Sequence, residues 1–431
     1  MKRINVGLVG FGNVGSGVVK ILSDRRVFLC DKIGLEINIK KICDKDITSR
    51  RNVTVNRSIF TKDARDIIND PQIDIVVELM GGIHPAKEYI AEALKKGKSV
   101  VTANKALLAH EGRELFALAR DRGKSIHFEA SVGAGIPIIK SLREGLVANK
   151  FANIFGIVNG TSNFILSRMS DINCSFNDAL TEAKARGFAE KNPTLDIEGM
   201  DSAHKLILLT YLCFGKLVSL EDIFIEGISQ VSLADINYAA EMGFEIKLLA
   251  IAKKDYDELE VRVHPTLIPR EHLLSSVSGI FNAIYVSSDL AGNLLFCGPG
   301  AGQLSAASAV VSDLVDLTQG LKAGMFRATL NIVEDKSIKK LRRIDDIESR
   351  YYIRFMTVDK PGVLAKISGV LAKFGISIAS VTQKEKKRAQ VVPIVMIIHE
   401  AREKDLRSAL EVISRLNIIK QDSVAIRIED V

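Results

Sequence analysis

The densest run of chemically useful side chains lies between Gly187 and Lys205, where Glu190, Asp196, Glu198, Asp201, His204 and Lys205 crowd together. Asp201 and Lys205 stand four apart. On a helix that spacing puts both on one face, so the carboxylate can orient the ammonium and adjust its proton affinity. On an open surface such a pair contributes only ~0.2–0.5 kcal/mol. The nearly all-apolar stretch Leu206–Phe214 that follows predicts something more: a buried helix whose first turn lines a cavity. His204 points away from this face and reads as a core or surface histidine.

A second group gathers near the start. Gly10-Phe11-Gly12-Asn13-Val14-Gly15 follows an apolar β-branched run and opens a helical pattern, the context expected of a dinucleotide site. Gly10 permits the tight turn, Gly12 the approach of a pyrophosphate, and Gly15 close helix packing, while the helix N-terminus favours the phosphates. Asp44, or Asp46 beside it, is placed to hold ribose hydroxyls at the end of the next strand. Thr102-Ala103-Asn104-Lys105 falls where a strand gives way to a helix, so Lys105 can reach a ligand at the carboxyl edge of the sheet. Glu129-Ala130-Ser131-Val132-Gly133-Ala134-Gly135-Ile136-Pro137 is too glycine-rich for an ordinary strand end. A backbone bent there can aim several carbonyls at one point, as hard cations require.

These residues need a scaffold, and the first 140 residues supply the pattern of a parallel sheet covered by helices, an α/β arrangement. Ile4–Val9, Glu36–Cys43, Ile73–Leu79, Ser99–Thr102 and Ser125–Glu129 read as strands. Ala86–Lys96 and Glu114–Arg122 read as helices stopped by Gly97 and Gly123. From Phe151 strands (Asn153–Val158, Leu259–His264) mix with helices (Asp178–Arg186, Asp201–Phe214). The expected division is residues 1–138 for the nucleotide, 139–305 for the substrate, 306–330 as a helix returning to the first domain, 331–350 as a charged linker, and 351–431 as a separate compact unit. That last unit reads strand, helix, strand, strand, helix, strand.

Hydrophobic residues at 47% and charged residues at 26% fit a globular chain and exclude disorder, collagen and disulfide scaffolds. The five cysteines are scattered, without a C-x-x-C pair, so neither a disulfide framework nor a zinc site is indicated. The net charge of +7 lies mostly in residues 351–431, and the one short basic run (Lys384, Lys386, Lys387, Arg388) reads as a solvated loop, so no nucleic acid partner is expected. No apolar run approaches the ~20 residues of a bilayer span, and the N-terminus enters a strand without a signal-peptide pattern, so no membrane is expected and the location is cytoplasmic.

Taken together, the glycine fingerprint, Thr102–Lys105, Glu129–Pro137, Asn159-Gly160-Thr161-Ser162-Asn163 and the Gly187–Lys205 block resemble homoserine dehydrogenase over nearly the whole chain. The resemblance implies a Rossmann-type nucleotide-binding domain, an α+β substrate and dimerisation domain, and reversible reduction of L-aspartate 4-semialdehyde to L-homoserine with NADPH or NADH. It implies Lys205 as general acid and base, and Lys105 as a group that polarises the carbonyl oxygen and borders the nicotinamide. Glu190 and Asp201 would hold the substrate ammonium with Asp196 in support, and the turn containing Thr161 would suit the substrate carboxylate. Gly187 and Gly302 would touch the cofactor. Glu129 and the carbonyls of Val132, Ala134 and Ile136 would bind sodium or a similar ion. Two departures stand out. Asp44 occupies a position where many relatives carry an arginine for the 2′-phosphate of NADPH, with Lys45, Arg50 and Arg51 nearby. Phe188 and Lys191-Asn192 replace a frequent Tyr and Ala-Asp, leaving the proposed catalytic positions intact.

Tyr351–Val431 resembles an ACT domain, a ferredoxin-like amino-acid sensor, with Asp359-Lys360-Pro361-Gly362-Val363-Leu364 as the turn into its first helix. The resemblance implies an amino-acid effector, threonine foremost, and a homo-oligomer, dimer or tetramer. Two other readings compete: a nucleotide-binding amino-acid sensor without chemistry, and another amino-acid dehydrogenase on the same fold. The presence of both lysines speaks against the first, and the Glu190, Asp201 and Lys205 set against the second.

Overall fold

The computed structural model describes residues 3–49, 51–322, 332, 334–383 and 391–430; Arg50 and the basic run Lys384, Lys386, Lys387 and Arg388 lie outside the described residues. The chain divides into two compact units. Met1–Phe151, Ala203–Glu221 and Phe281–Lys336 form one, and Ala152–Ser202, Asp222–Ile280 and Ser337–Val431 the other.

In the first unit β1 (Arg3–Val9), β2 (Glu36–Cys43), β3 (Phe60–Thr61), β4 (Ile75–Glu78), β5 (Ser99–Thr102) and β6 (Ile126–His127) make an all-parallel sheet. Their spatial order is β3, β2, β1, β4, β5, β6. The order reverses between β1 and β4, which is where a Rossmann-type sheet opens a crevice for its ligand. Parallel strands are covered on both faces and so run apolar without alternation. Val6, Leu8, Ile42, Ile75, Val77 and Val101 are accordingly buried, together with Val310, Val311 and Leu314 of the helix Gln303–Lys322. Each such side chain contributes about 1.5–3 kcal/mol by leaving water. That helix lies against the helix Asn13–Asp24 at Gly17, where an added Cβ would sit 3.0 Å from Ala307. It begins three residues before the expected 306, and residues 323–330 lie outside the described residues.

Two further elements differ from expectation. The expected strand Ser125–Glu129 shortens to Ile126–His127, because the Glu129 N–H donates to the Asp313 carboxylate (2.9 Å) and the chain turns at Glu129–Ser131. The expected helix Glu114–Arg122 is the second half of Lys105–Asp121, whose start is fixed by Asn104 as N-cap.

The second unit holds a mixed sheet in which Phe151–Ile157, Phe244–Asp255, Glu258–Pro269, Ile419–Ile428, Glu348–Val358, Val391–Arg402 and Ile378–Thr382 lie side by side in that order. The last four, with helices Val363–Lys373 and Glu403–Ser414, have the strand-helix-strand-strand-helix-strand order read from the sequence and form a ferredoxin-like module. It is not a separate body. Ile419–Ile428 pairs in parallel with Glu258–Pro269 through Thr266–Arg427 and Leu267–Ile428. The stretch read as a linker is packed as well: Lys340–Leu341 pairs with Glu258–Leu259, Arg342 binds Glu258 (2.6 Å) and Asp255 (2.8 Å), and Ile347 is buried. Several of its charges, among them Lys340, Arg342 and Asp345, are spent on ion pairs.

Buried ionic groups complete the join. Asp235, fully buried, caps the helix Leu233–Glu241 through Ser232 and accepts from Arg354 Nε (2.6 Å), Arg354 Nη2 (3.1 Å) and the Tyr352 hydroxyl (3.0 Å). Arg427 donates to Glu403 (2.8 and 2.6 Å) and Glu226 (3.0 Å), and Arg262 donates to Glu429 (2.6 Å). Removing one partner of such a pair leaves a buried charge without compensation. Arg354→Met is therefore expected to destabilise the protein by about 3–5 kcal/mol in urea unfolding. A loss below about 1 kcal/mol, the range of surface pairs, would show that Asp235 does not depend on it.

Candidate active site

The glycine turn is built by steric exclusion. Gly10 has φ +100°, and a Cβ there would lie 2.6 Å from the Leu79 carbonyl group, while one on Gly15 would lie 2.2 Å from Gly10 O. At Gly12 nothing lies within 4 Å of a Cβ, leaving its backbone open to approach. Asn13 and Val14 start the helix whose N–H groups face this turn. Asp44, at the end of β2, has one oxygen on the Phe11 N–H (2.5 Å) and the other on the Asp46 N–H (2.8 Å). The carboxylate thus tethers the glycine turn while keeping lone pairs for a second donor. Arg51 Nε donates to Phe11 O (3.0 Å), with the guanidinium 5.9 Å above the Phe11 ring, so a cation borders the same turn. Gly302, with φ +128°, precedes the helix Gln303–Lys322, and Gln303 donates to the Ser16 hydroxyl (3.0 Å) beside the turn.

At the carboxyl ends of β4 and β5 stands a residue the sequence reading passed over. Glu78 is buried, and burial pushes its carboxyl above the ordinary range, although the Thr102 hydroxyl, the Met80 and Gly81 amides and the Asn104 side chain pull the other way. The Thr102 hydroxyl is given to Glu78 (2.7 Å) and accepts from the Asn104 N–H (3.0 Å), so this side chain is engaged within the protein. Lys105 follows as the first residue of its helix, half-buried. The only sign of Glu78 in the sequence was an acid closing an otherwise apolar strand.

Glu129 is also buried, and its carboxylate accepts the N–H groups of Ile139 (2.9 Å) and Lys140 (2.8 Å). Burial, with the Asp313 carboxylate beside it, pushes Glu129 up to about 7. Val132, Gly133, Ala134 and Ile136 follow in a turn with φ +69° at Gly133 and +49° at Ala134; the Ile136 carbonyl accepts from Ile138 N–H (2.7 Å). This bent, oxygen-rich segment beside an acid short of counter-charge fits a hard cation in its donor chemistry.

In the second unit the stretch Gly187–Ser202 folds back on the helix Gly160–Ile172. Asn159 caps that helix with its carbonyl on the Ser162 N–H, and its single amide NH2 donates to both Asp196 Oδ1 (2.7 Å) and Asp201 Oδ2 (2.9 Å). The Thr161 hydroxyl reaches Asp196 Oδ2 (3.1 Å) and Phe188 O (2.7 Å), and the Ser162 hydroxyl binds Asp196 O (2.8 Å). Two like charges are thereby held together by neutral donors. Asn159, quoted only as part of a motif in the sequence, is the hub. Glu190 is exposed, and Gly187, with φ +74°, ends the helix Phe176–Ala185.

Asp201 opens the helix Met200–Phe214, and Lys205 lies one turn along it; both are buried, as the apolar stretch Leu206–Phe214 foretold. His204 is buried with its ring 5.4 Å from His110, a packing role.

A glycine-turn parallel sheet with a lysine at its carboxyl edge, and a buried carboxylate one turn before a second buried lysine, define the class: an NAD(P)-binding dehydrogenase. Comparison with known proteins narrows it. Residues 10–129 match the family model "Homoserine dehydrogenase, NAD binding domain", 137–315 match "Homoserine dehydrogenase", and 351–417 match the ACT domain. The chain is 41% identical to a homoserine dehydrogenase of Neisseria gonorrhoeae and 42% identical to that of Helicobacter pylori, covering at least 99% of both partners in each case. Its fold superposes on the crystal structure of a homoserine dehydrogenase from Thiobacillus denitrificans with TM-score 0.92 at 40% identity, over 100% of this chain and 99% of that one. A hyperthermophilic archaeal homoserine dehydrogenase in complex with NADPH matches 74% of this chain and 98% of its own, at 28% identity and TM-score 0.63. The chain belongs to the homoserine dehydrogenase family.

Proposed function

We propose that the chain interconverts L-aspartate 4-semialdehyde and L-homoserine, with the roles of its residues as follows. The observation that carries this reading is the Asn159 amide shared by Asp196 and Asp201, one helical turn before buried Lys205. A substrate ammonium is recognised by grouped carboxylates, here Asp201 and Glu190 with Asp196 in support. Thr161, at the N-terminus of its helix, lies where the positive end of the helix dipole suits the substrate carboxylate. Gly10–Gly15, Asp44, Thr102, Lys105, Gly187 and Gly302 would hold the nicotinamide cofactor, which would supply the hydride for the aldehyde carbon. Lys205 then gives a proton to the oxygen as the C–O bond becomes single, and takes it back in the reverse direction. Lys105 polarises the same oxygen. Replacing Lys205 with alanine should lower turnover by ~10²- to 10⁴-fold with cofactor binding largely kept. Near-normal turnover in that variant would remove Lys205 from the role.

Cofactor choice turns on Asp44, whose negative charge repels a 2′-phosphate, so NADH should serve at least as well as NADPH. The comparison of kcat/KM for the two decides it. A strong preference for NADPH would hand the site to Lys45, Arg50 or Arg51, and Asp44→Arg would then change little.

Glu129 with the carbonyls of Val132, Ala134 and Ile136 would hold sodium, and the Asp359–Leu364 turn, with Gly362 at φ +87°, would take threonine across a pair of ACT modules in a dimer or tetramer. The reading is of a cytoplasmic enzyme of amino-acid biosynthesis; no helix of the described residues is long and apolar enough to cross a membrane. Both ligands should raise the melting temperature by mass action: sodium against choline chloride, and threonine at millimolar concentration with a fall in activity. A flat melting temperature with either would withdraw that ligand.

A further inference from the structure

Glu78 closes β4 with only 1% of its surface exposed, and it heads a short chain of hydrogen bonds. Oε1 accepts the N–H groups of Met80 (2.8 Å) and Gly81 (3.3 Å), and Oε2 accepts the Thr102 hydroxyl (2.7 Å). Because the Thr102 proton is committed to Glu78, its oxygen faces Asn104 as an acceptor for the backbone N–H (3.0 Å). Asn104 carries the chain onward in two directions. Its Oδ1 accepts the Leu107 N–H (3.1 Å), capping the helix that begins at Lys105, and its Nδ2 donates to Gly82 O (2.6 Å).

A carboxyl withdrawn from water is an unfavourable filling for a strand end, and an apolar side chain of similar size would serve packing alone at least as well. What an apolar residue could not do is set the direction of the Thr102 hydroxyl. That direction leaves the threonine oxygen facing Asn104 as an acceptor, fixes the helix cap, and with it the first turn from which Lys105 projects. The peptide following Glu78 also abuts the glycine turn, since a Cβ on Gly10 would strike the Leu79 carbonyl group.

We propose that Glu78 is a positioning residue for the reduction, acting through Thr102 and Asn104 to hold the ammonium of Lys105 in line with the carbonyl oxygen. The inference rests on the role given to Lys105 above. Misplacement of a polarising group by about 1 Å can cost ~10²-fold in rate without loss of binding.

Four single variants and one combination test it, with kcat expressed per cofactor-binding site. Thr102→Val deletes the middle hydroxyl at nearly constant volume and should lower kcat by ~10- to 100-fold, while the KM for the aldehyde stays within ~3-fold. Thr102→Ser, which keeps the hydroxyl, should restore kcat to within ~3-fold of the parent. Glu78→Gln should fall in the same direction as Thr102→Val, yet add less than ~3-fold to the defect of Lys105→Ala when the two are combined, because both act on one group. Multiplicative losses in the combination, or variants whose only defect is a lower melting temperature, would overturn the proposal. Full activity in Glu78→Gln beside an impaired Lys105→Ala would overturn this inference alone; normal turnover in Lys105→Ala would overturn the reading of Lys105 with it.

Discussion

A carboxylate taken out of water must collect donors for its oxygens, and in this protein that requirement ties distant stretches of chain together at each place where chemistry is proposed. Asp201 and Asp196 share the Asn159 amide; Glu78 gathers two backbone amides and a hydroxyl; Glu129 takes the N–H groups of Ile139 and Lys140. Glu78 draws two of its donors from the turn that directly follows it and the third from the neighbouring strand. Asp201 and Glu129 take theirs from other elements, so the geometry of the proposed site depends on how the chain supplies donors to its acids.

The same requirement explains why the ACT module is part of the second unit. Asp235 caps a helix outside the module, yet its ion-pair partner, Arg354, sits on the module's first strand. Arg427 pairs its backbone with Glu258–Pro269 and its guanidinium with Glu403 and Glu226. A perturbation of the module's strands reaches the helix Leu233–Glu241 through side chains that have no solvent to fall back on.

How much of this could be read beforehand depended on the range of the interaction. Glu36–Cys43 and Ser99–Thr102 were legible to the residue, because a buried parallel strand announces itself by a local apolar run, and the Asp201–Lys205 spacing was legible because helical periodicity is local. The glycine fingerprint is likewise a contiguous signal. The strand at Ser125–Glu129 was overread because its end is decided by Asp313, far away in sequence. Residues 331–350 were read as a spacer because ion-pair partners such as Asp255 and Glu258 leave no mark on the segment itself. Glu78 escaped notice for the same reason: its bonds converge from β5 and from the loop after β4, and the sequence shows only one acid among hydrophobic residues. Arg51 was noted for its charge, and its seat on Phe11 emerges only in three dimensions.

The strand Ile419–Ile428 lies between Glu258–Pro269 and Glu348–Val358, although about 150 residues of chain separate it from the first of these neighbours. During synthesis at ~5–20 residues per second, the Thr266–Leu267 end of Glu258–Pro269 therefore waits roughly 8–30 s for this partner, while Phe224–Ile225, made earlier, already offers a parallel partner at Arg262–Val263. Parallel pairing of this range is intrinsically slow, and an open edge is a template for any other strand. The join that makes the module inseparable from the mature second unit thus gives the nascent chain an interval in which this end of its sheet is exposed, and a chain interrupted before residue 419 would never pair Thr266–Leu267.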